Sequence, residues 1–359
     1  MSRAHEYGLI LAGGRGTRFW PRSRRHSAKQ VLQVIGGRTL IQQTVDRLAP
    51  LLPAERLWVL TNDYLRDEIV RQLPAVPPAQ ILAEPAPRNT APAIGLAAHI
   101  LRSIDPDAVM GVFPSDHVVA RAARFRRLLR AALRAAAAGR IAVLGIQPRW
   151  AETGYGYIEF PRGTTPGSLT PAPVLRFREK PDAATARRYV AAGRFYWNAG
   201  MFFWRADVLL RELHQHLPQT AELLDTLPPF HNRRFVPALR RTFPLLEKIS
   251  IDYAVLERAK DVVGIACDDI GWSDLGSWNA VHELLARDAE GNTLSDSLLA
   301  TGSRGNFVHA PGKLVALLGV DDLIVVDTPD ALLVARRSRA QDVGRIVEML
   351  ESRQRHDLV

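Results

Sequence analysis

Apolar and polar positions alternate along the first 150 residues in a regular rhythm. Short continuous apolar runs at residues 8–12, 57–61, 80–83, 108–113 and 141–146 predict strands, and helical periodicity fills the gaps at 39–49, 64–73, 90–103 and 125–138. Unbroken apolar strands separated by helices imply a parallel sheet covered on both faces. Beyond residue 150 the rhythm loosens. Strand-like pieces at 155–160, 174–177 and 201–204 and helical stretches at 183–192 and 206–216 read as an extension of the same sheet. A helix at 252–258, a strand at 262–266 and a helix ending near Ala286 follow. After Glu290 come short apolar pieces at 306–309, 314–318, 323–327 and 331–335, separated by Gly, Pro and Asp turns, and then an amphipathic helix at 340–350. That spacing predicts small stacked β coils. The expectation is two units, 1–286 and 287–359, packed together because no Pro- or Ser-rich linker separates them.

Composition narrows the picture. The 359 residues are 47% hydrophobic and 23% charged, as in ordinary globular proteins. No apolar run approaches the ~20 residues of a membrane helix. The N-terminus enters a strand without a signal-peptide pattern, so a cytoplasmic protein is expected. Cys267 is the only cysteine, which excludes an intramolecular disulfide and a Cys-rich zinc site.

The net charge of +10 raises nucleic acid as a partner. However, arginine supplies 42 of the 47 basic residues, and the Arg121, Arg124, Arg126, Arg127, Arg130, Arg134 group reads as the solvated face of a helix. No nucleic-acid partner is expected. Where a lysine stands in such a chain, a compact point charge is required rather than a planar fork; Lys29 and Lys180 are the two in motif-like segments.

The most informative segment is Leu11-Ala12-Gly13-Gly14-Arg15-Gly16-Thr17-Arg18. Glycines let backbone N–H groups approach a polyphosphate, and Arg18 and Lys29 add charge. Phe19 stands where a dinucleotide fingerprint needs its third glycine, and the P-loop pattern is absent. Asp116 follows a buried strand at the rim where ligands bind in such sheets, and Asp274 sits in a Gly-flanked turn. Each has an alternative as a turn former or cap, but beside a phosphate loop they point to Mg²⁺, which takes one or two carboxylates plus phosphates. Glu179-Lys180-Pro181 offers a carboxylate for sugar hydroxyls and an ammonium for phosphate, or a surface ion pair. Asn198-Ala199-Gly200 offers a bidentate amide, or a simple turn, and Gly154-Tyr155-Gly156-Tyr157 offers exposed backbone beside aromatic surface. Glu84 either reads a base edge or caps the helix near Thr90; in the latter case Asn89 or backbone groups would read the base.

Residues 11–23, Lys29-Gln30, Glu84-Pro85, Arg88-Asn89-Thr90-Ala91-Pro92-Ala93 and Phe113-Pro114-Ser115-Asp116-His117 together resemble the sugar nucleotidyltransferases. Glu152 to Ile158, Phe177-x-Glu179-Lys180-Pro181, Trp197 to Phe202, Ile251-Asp252-Tyr253-Ala254 and Trp272 to Trp278 are similar to the mannose-1-phosphate guanylyltransferase branch. The resemblance implies an α/β fold with a Rossmann-like, mixed but mostly parallel sheet and a small C-terminal left-handed β-helix. It implies transfer of GMP from GTP to mannose 1-phosphate with Mg²⁺. Longer members add a sugar-phosphate isomerase domain, which a chain of this length is not expected to hold, and the edges of the stacked coils lead to the expectation of a homodimer. By motif, Ala12, Gly13, Gly14, Gly16, Thr17 and Arg18 would hold the triphosphate, with Glu84, Asn89 and Thr90 on the nucleotide. Lys29 would sit at the reacting phosphates and Asp116 and Asp274 on the metal. Gly154, Tyr155, Gly156, Glu179 and Asn198 would take the mannose, and Lys180 its phosphate. One departure is Ala28, where the family has proline; the freed φ is expected to loosen the loop carrying Lys29.

Overall fold

In a computed structural model of the chain, residues 5–359 are described. Eleven strands lie within the first 267 residues: β1 (Glu6–Leu11), β2 (Leu57–Asn62), β3 (Ile81–Glu84), β4 (Val109–Pro114), β5 (Val118–Val119), β6 (Ile141–Ile146), β7 (Tyr157–Glu159), β8 (Ala172–Pro173), β9 (Arg176–Arg178), β10 (Phe195–Arg205) and β11 (Val262–Cys267). All but β5 form one ten-stranded sheet whose main path runs β3-β2-β1-β4-β10-β6-β11-β8, with β7 attached to β10 and β9 to β7. The pairs β1–β2, β2–β3, β1–β4 and β6–β11 are parallel, whereas β10 runs antiparallel to both β4 and β6.

The alternation of side chains along each strand divides the core into two layers. Leu9, Leu60, Met110 and Val112 pack against helices Thr90–Ile104 and Ala206–His216 on one face. Ile10, Val59 and Phe113 pack against helices Leu40–Leu48 and Ala122–Ala137 on the other. On that second helix Arg127, Arg130 and Arg134 are exposed, as expected of a solvated face. Because the chain leaves β1 toward β2 on one side and returns to β4 on the other, the strand order reverses at β1. A ligand crevice is expected beyond the carboxyl ends of β1 and β4.

The sequence pattern resolved only the last third of β10. The strand begins at Phe195 and carries an irregularity: Asn198 lies opposite Gly145, yet Phe202 lies opposite Val143. The extra residues bulge at Gly200, whose φ of 65° and hydrogen bond from its N–H to Asn198 Oδ1 (3.1 Å) hold the asparagine at the rim. Helices Pro218–Asp225 and Phe235–Thr242 also go beyond the elements the pattern predicts. Their few apolar positions lack a long periodic run.

Beyond the sheet, β12 (Trp272–Ser273) pairs with β5. Four coil strands and a return strand follow: β13 (Leu298–Thr301), β14 (Phe307–His309), β15 (Val315–Leu318), β16 (Leu323–Asp327) and β17 (Leu332–Arg336). β13 pairs in parallel with β15 and β14 with β16 at a constant offset of 17 residues, the repeat of two stacked coils. Inside them Asn292 and Asn306 are buried and form a ladder. Asn306 donates through N–H and Nδ2 to Asn292 Oδ1 and accepts from Leu323 N–H, replacing strand hydrogen bonds at the corners.

The coils do not stand apart. Phe19, Trp20, Leu275 and Trp278 share one apolar cluster with Phe307, Ile324, Val343 and Val347. His282 and His309 lie at this junction, and burial pushes each imidazole down to about 4. Both are therefore neutral in the folded protein at pH 6, whereas unfolded imidazoles near 6.5 are mostly charged. The unfolded chain binds more protons over this interval, so stability is present above pH 6.5 and is lost as pH falls toward 4. Thermal unfolding at pH 7.5 and pH 5 should show this decline, and His282→Leu, with no proton to gain, should show a smaller one. An equal decline in both proteins would show that His282 does not contribute to it.

Candidate active site

The glycine loop leaves β1 with its carbonyls turned inward. Gln30 Nε2 donates to the oxygens of Ala12 (2.7 Å) and Gly14 (2.9 Å), Thr61 Oγ1 to Ala12 (3.0 Å), and Asn62 Nδ2 to Gly13 (3.3 Å). With the carbonyls held in this way, the N–H groups of Gly13, Gly14 and Arg15 find no acceptor among the described residues. Several backbone donors left open at a loop form an anion nest. The glycines serve different ends. A Cβ on Gly14 would meet nothing within 4 Å and one on Gly13 only Glu84 Oε1, so protein packing does not demand glycine there. Gly16 has φ 62°, and a Cβ on it would lie 2.6 Å from the Cβ of Lys29. That close approach brings Lys29 beneath the loop.

Lys29 is 5% exposed, and its ammonium donates to Asp116 Oδ2 at 2.8 Å and to the backbone oxygen of Asp274 at 2.7 Å. One cation thus joins the loop after β1, the turn after β4 and the turn after β12. Burial opposes ionisation of Asp116, but Lys29 and His117 outweigh it and hold the carboxyl below its usual range. Burial pushes the His117 imidazole down, against the attraction of Asp116 and Asp274, and its Nδ1 accepts from Trp272 Nε1 (3.3 Å). The Asp274 carboxylate turns the other way: Oδ1 accepts from Tyr155 OH (2.6 Å) and Gly276 N–H (3.1 Å). Burial and Asp274 both push the Tyr155 phenol far up, so it remains a donor. Arg18 is exposed and donates through Nη1 to Gln341 Oε1 (2.6 Å). Arg18, Tyr155, Asp274 and Gln341 line one cavity of about 770 Å³.

Ala28, expected to loosen this region, has φ −69°, the value a proline ring imposes, and is buried. The backbone entering Lys29 therefore takes the same course without the ring.

A second group gathers around β10. Asn198 is buried; its Nδ2 donates to Asp252 Oδ1 (2.9 Å) and its N–H to the oxygen of Gly156 (2.8 Å). A Cβ on Gly156 would crowd Glu179 Oε2 and lie 3.2 Å from the Cβ of Asn198, so glycine lets three segments close on one point. Glu179 Oε2 is buried without a hydrogen-bond partner, while Oε1 lies 3.4 Å from Lys180 Nζ. Burial raises the Glu179 carboxyl against the pull of Lys180. Asp252 is pushed up to about 7, first by burial and then by Glu179. Lys180, unlike Lys29, is more than half exposed.

Glu84 ends β3 partly buried beside Gly13, and burial pushes it up to about 8. The helix after it is capped by Asn89, which has φ 68° and accepts from Thr90 N–H (2.8 Å). This overturns the alternative in which Glu84 is the cap. Thr90 Oγ1 in turn accepts from Ile251 N–H (2.9 Å), so Asn89 and Thr90 both fasten the start of this helix.

The expected site residues thus form three groups. Lys29, Asp116, Asp274 and Arg18 gather at the loop, and Asn198, Glu179, Lys180 and Gly156 at β10, with Glu84 beside Gly13. Tyr155 is drawn to Asp274. Gly154 is exposed and donates its N–H to Glu152 (2.8 Å). Asp252 stood in a quoted motif without a role. Glu257, which accepts from Glu179 N–H (2.9 Å), and Gln341 carried no signal at all. Among the described residues no group of three or more His, Cys, Asp or Glu is placed to hold a metal. Two carboxylates with hard oxygen donors, one held ionised, still fit an ion that takes its remaining ligands from phosphate and water.

Comparison with known proteins shows the family of the chain. The nucleotidyl transferase family model matches residues 7–291, and the MannoseP isomerase/GMP-like beta-helix domain model matches residues 298–350. The mannose-1-phosphate guanylyltransferase of Escherichia coli strain K12 is 38% identical over 99% of this chain and 76% of its own length. The alginate biosynthesis protein AlgA of Pseudomonas aeruginosa is 39% identical over 97% of this chain and 73% of its own. The crystal structure of mannose-1-phosphate geranyltransferase from Thermus thermophilus matches with a TM-score of 0.85 at 33% identity, covering 97% of this chain and 99% of that one. With its glycine loop and its stacked coils, the chain belongs to the nucleotidyl transferase family, among the mannose-1-phosphate guanylyltransferases.

Proposed function

We propose that the protein transfers GMP from GTP to mannose 1-phosphate, forming GDP-mannose and releasing pyrophosphate. The observation that carries this reading is the Lys29 ammonium held beneath an open amide nest, between Asp116 and Asp274. In the reaction a phosphate-monoester oxygen attacks the α-phosphorus and the bond to pyrophosphate breaks. The nucleophile needs no base, because a phosphate monoester with a second pKa of about 6 is largely dianionic at neutral pH. The barrier is the meeting of two anions, so catalysis is positioning and charge neutralisation.

The amides of Gly13, Gly14 and Arg15, with Arg18, bind the triphosphate, and Lys29 neutralises charge at the reacting end. Asp116 and Asp274 would hold Mg²⁺, which when bound withdraws charge from phosphate oxygens. Asn198 and Glu179 accept and donate hydrogen bonds at the mannose ring, and Lys180 reaches its phosphate from the rim. Asp116→Asn and Asp274→Asn should each cut turnover severely and raise the Mg²⁺ concentration needed for half-maximal rate. Near-normal values for both would remove the metal assignment.

Base choice follows from Glu84. Guanine presents N1–H and N2–H₂ on one edge, and a carboxylate accepts both. Because burial keeps Glu84 largely protonated at pH 7, GTP binding expels that proton. KM for GTP should therefore fall as pH rises from 6.5 to 8.5. Pyrophosphate release measured over GTP, ATP and UTP with mannose and glucose 1-phosphates tests the whole reading: GTP with mannose 1-phosphate should be the preferred pair. Glu84→Gln should lose the pH slope and roughly 1–3 kcal/mol of preference for GTP. An equal loss on all nucleotides would assign Glu84 to the fold.

The proposal extends to a cytoplasmic homodimer. The only cysteine, Cys267, is a buried free thiol, which suits a reducing compartment, and no helix among the described residues is long and apolar enough to cross a membrane. Leu299 and Leu318 on the β13–β15 pair and Leu332 and Val334 on β17 are each more than half exposed, an apolar surface suited to a second copy. Light scattering should give twice the chain mass, and Leu318→Glu should return it to one.

A further inference from the structure

The C-terminal segment lies against the glycine loop. The 3₁₀ segment Arg337–Val343 and the helix Gly344–Ser352 bury Ala340, Val343 and Val347 in the cluster that holds Phe19 and Trp20, the two residues just after the loop. The approach is tight: a Cβ on Gly344 would lie 3.3 Å from Thr17 Oγ1. Trp20 Nε1 donates to the oxygen of Leu358 (2.9 Å), tying the last turn of the chain to the same place.

From this docked segment two side chains reach the loop's arginines. Glu351 pairs with Arg15 at 2.6 Å, both well exposed, and such a surface pair contributes little. Gln341 is different. Its amide oxygen accepts from Arg18 at 2.6 Å, and it lines the same cavity as Arg18, Tyr155 and Asp274. A guanidinium has five N–H donors, so one spent on Gln341 leaves the others for phosphate oxygens. An amide also orients the group without cancelling its charge, which a carboxylate would do.

We propose that Gln341 is a positioning residue for nucleotide binding. It holds the Arg18 guanidinium in its phosphate-facing rotamer, so that the ordering of a long, mobile side chain is complete before GTP arrives. The coil domain would then serve the nucleotide site through its last segment. This rests on the reading of Arg18 as a triphosphate contact.

The test uses the full chain with Gln341→Ala, Gln341→Glu, Arg18→Ala and the double Arg18→Ala/Gln341→Ala variant. Gln341 is exposed, so these changes should leave the melting temperature within a few degrees of wild type. Gln341→Ala should raise KM for GTP about tenfold, with KM for mannose 1-phosphate unchanged, and should add nothing once Arg18 is alanine. Gln341→Glu should be at least as damaging, because it pairs with Arg18 and offsets its charge. Unchanged KM for GTP in Gln341→Ala, an undiminished effect in the Arg18→Ala background, or wild-type behaviour of Gln341→Glu would each overturn the proposal. If Arg18→Ala itself leaves KM for GTP unchanged, the triphosphate reading of Arg18 has failed, and the role of Gln341 falls with it.

Discussion

A single buried ammonium organises the rim of the sheet. Lys29 joins the carboxylate after β4 to the backbone after β12 from beneath the loop after β1, so three segments distant in sequence share one cation. Burying a charge is costly unless it is paired and hydrogen-bonded. Both conditions are met here. The loop above the ammonium offers amides with no protein acceptor among the described residues. Those open amides favour an anion beside the ammonium. Arginine, the usual cation of this chain, would put a larger planar group where the ammonium of Lys29, only 5% exposed, already meets Asp116 Oδ2 and the backbone oxygen of Asp274.

The sugar side is built on the opposite electrostatic principle. Glu179, Asp252 and Glu257 converge near Asn198 with only Lys180, on the solvent side, to balance them among the described residues. Crowded acids in a half-buried place hold their protons more tightly, which is the direction seen for Glu179 and Asp252. Such groups can donate as well as accept, matching hydroxyls that do the same. The bulge in β10 makes this possible by bringing Asn198 to the rim; a regular strand would shift the register and turn the side chain elsewhere.

The two units of the chain are mechanically joined. Trp278 stacks on Phe307, and its Nε1 donates to the oxygen of Trp20 (3.0 Å), so the helix after the Asp274 turn, the first coil and the residues just after the glycine loop are in direct contact. This explains how a domain far along the sequence can shape a loop near residue 15.

What was legible in the sequence was local. Strand and helix order in the first half followed from apolar periodicity, and the glycine loop, Asp116, Asp274 and Lys29 stood out because each breaks an otherwise plain pattern. The 17-residue coil repeat was visible only as short apolar pieces between turns. The tertiary structure decided which residues meet. Lys29 and Asp116 lie 87 residues apart, Tyr155 and Asp274 119, and Arg18 and Gln341 323. No periodicity or spacing encodes those pairings, because they depend on strand order, on the antiparallel insertion of β10 and on where the last helix docks. Asp252 and Gln341 are ordinary polar residues on short helices until burial and proximity give them partners. Local backbone chemistry writes the elements into the sequence; the fields and contacts of the site exist only once those elements are packed.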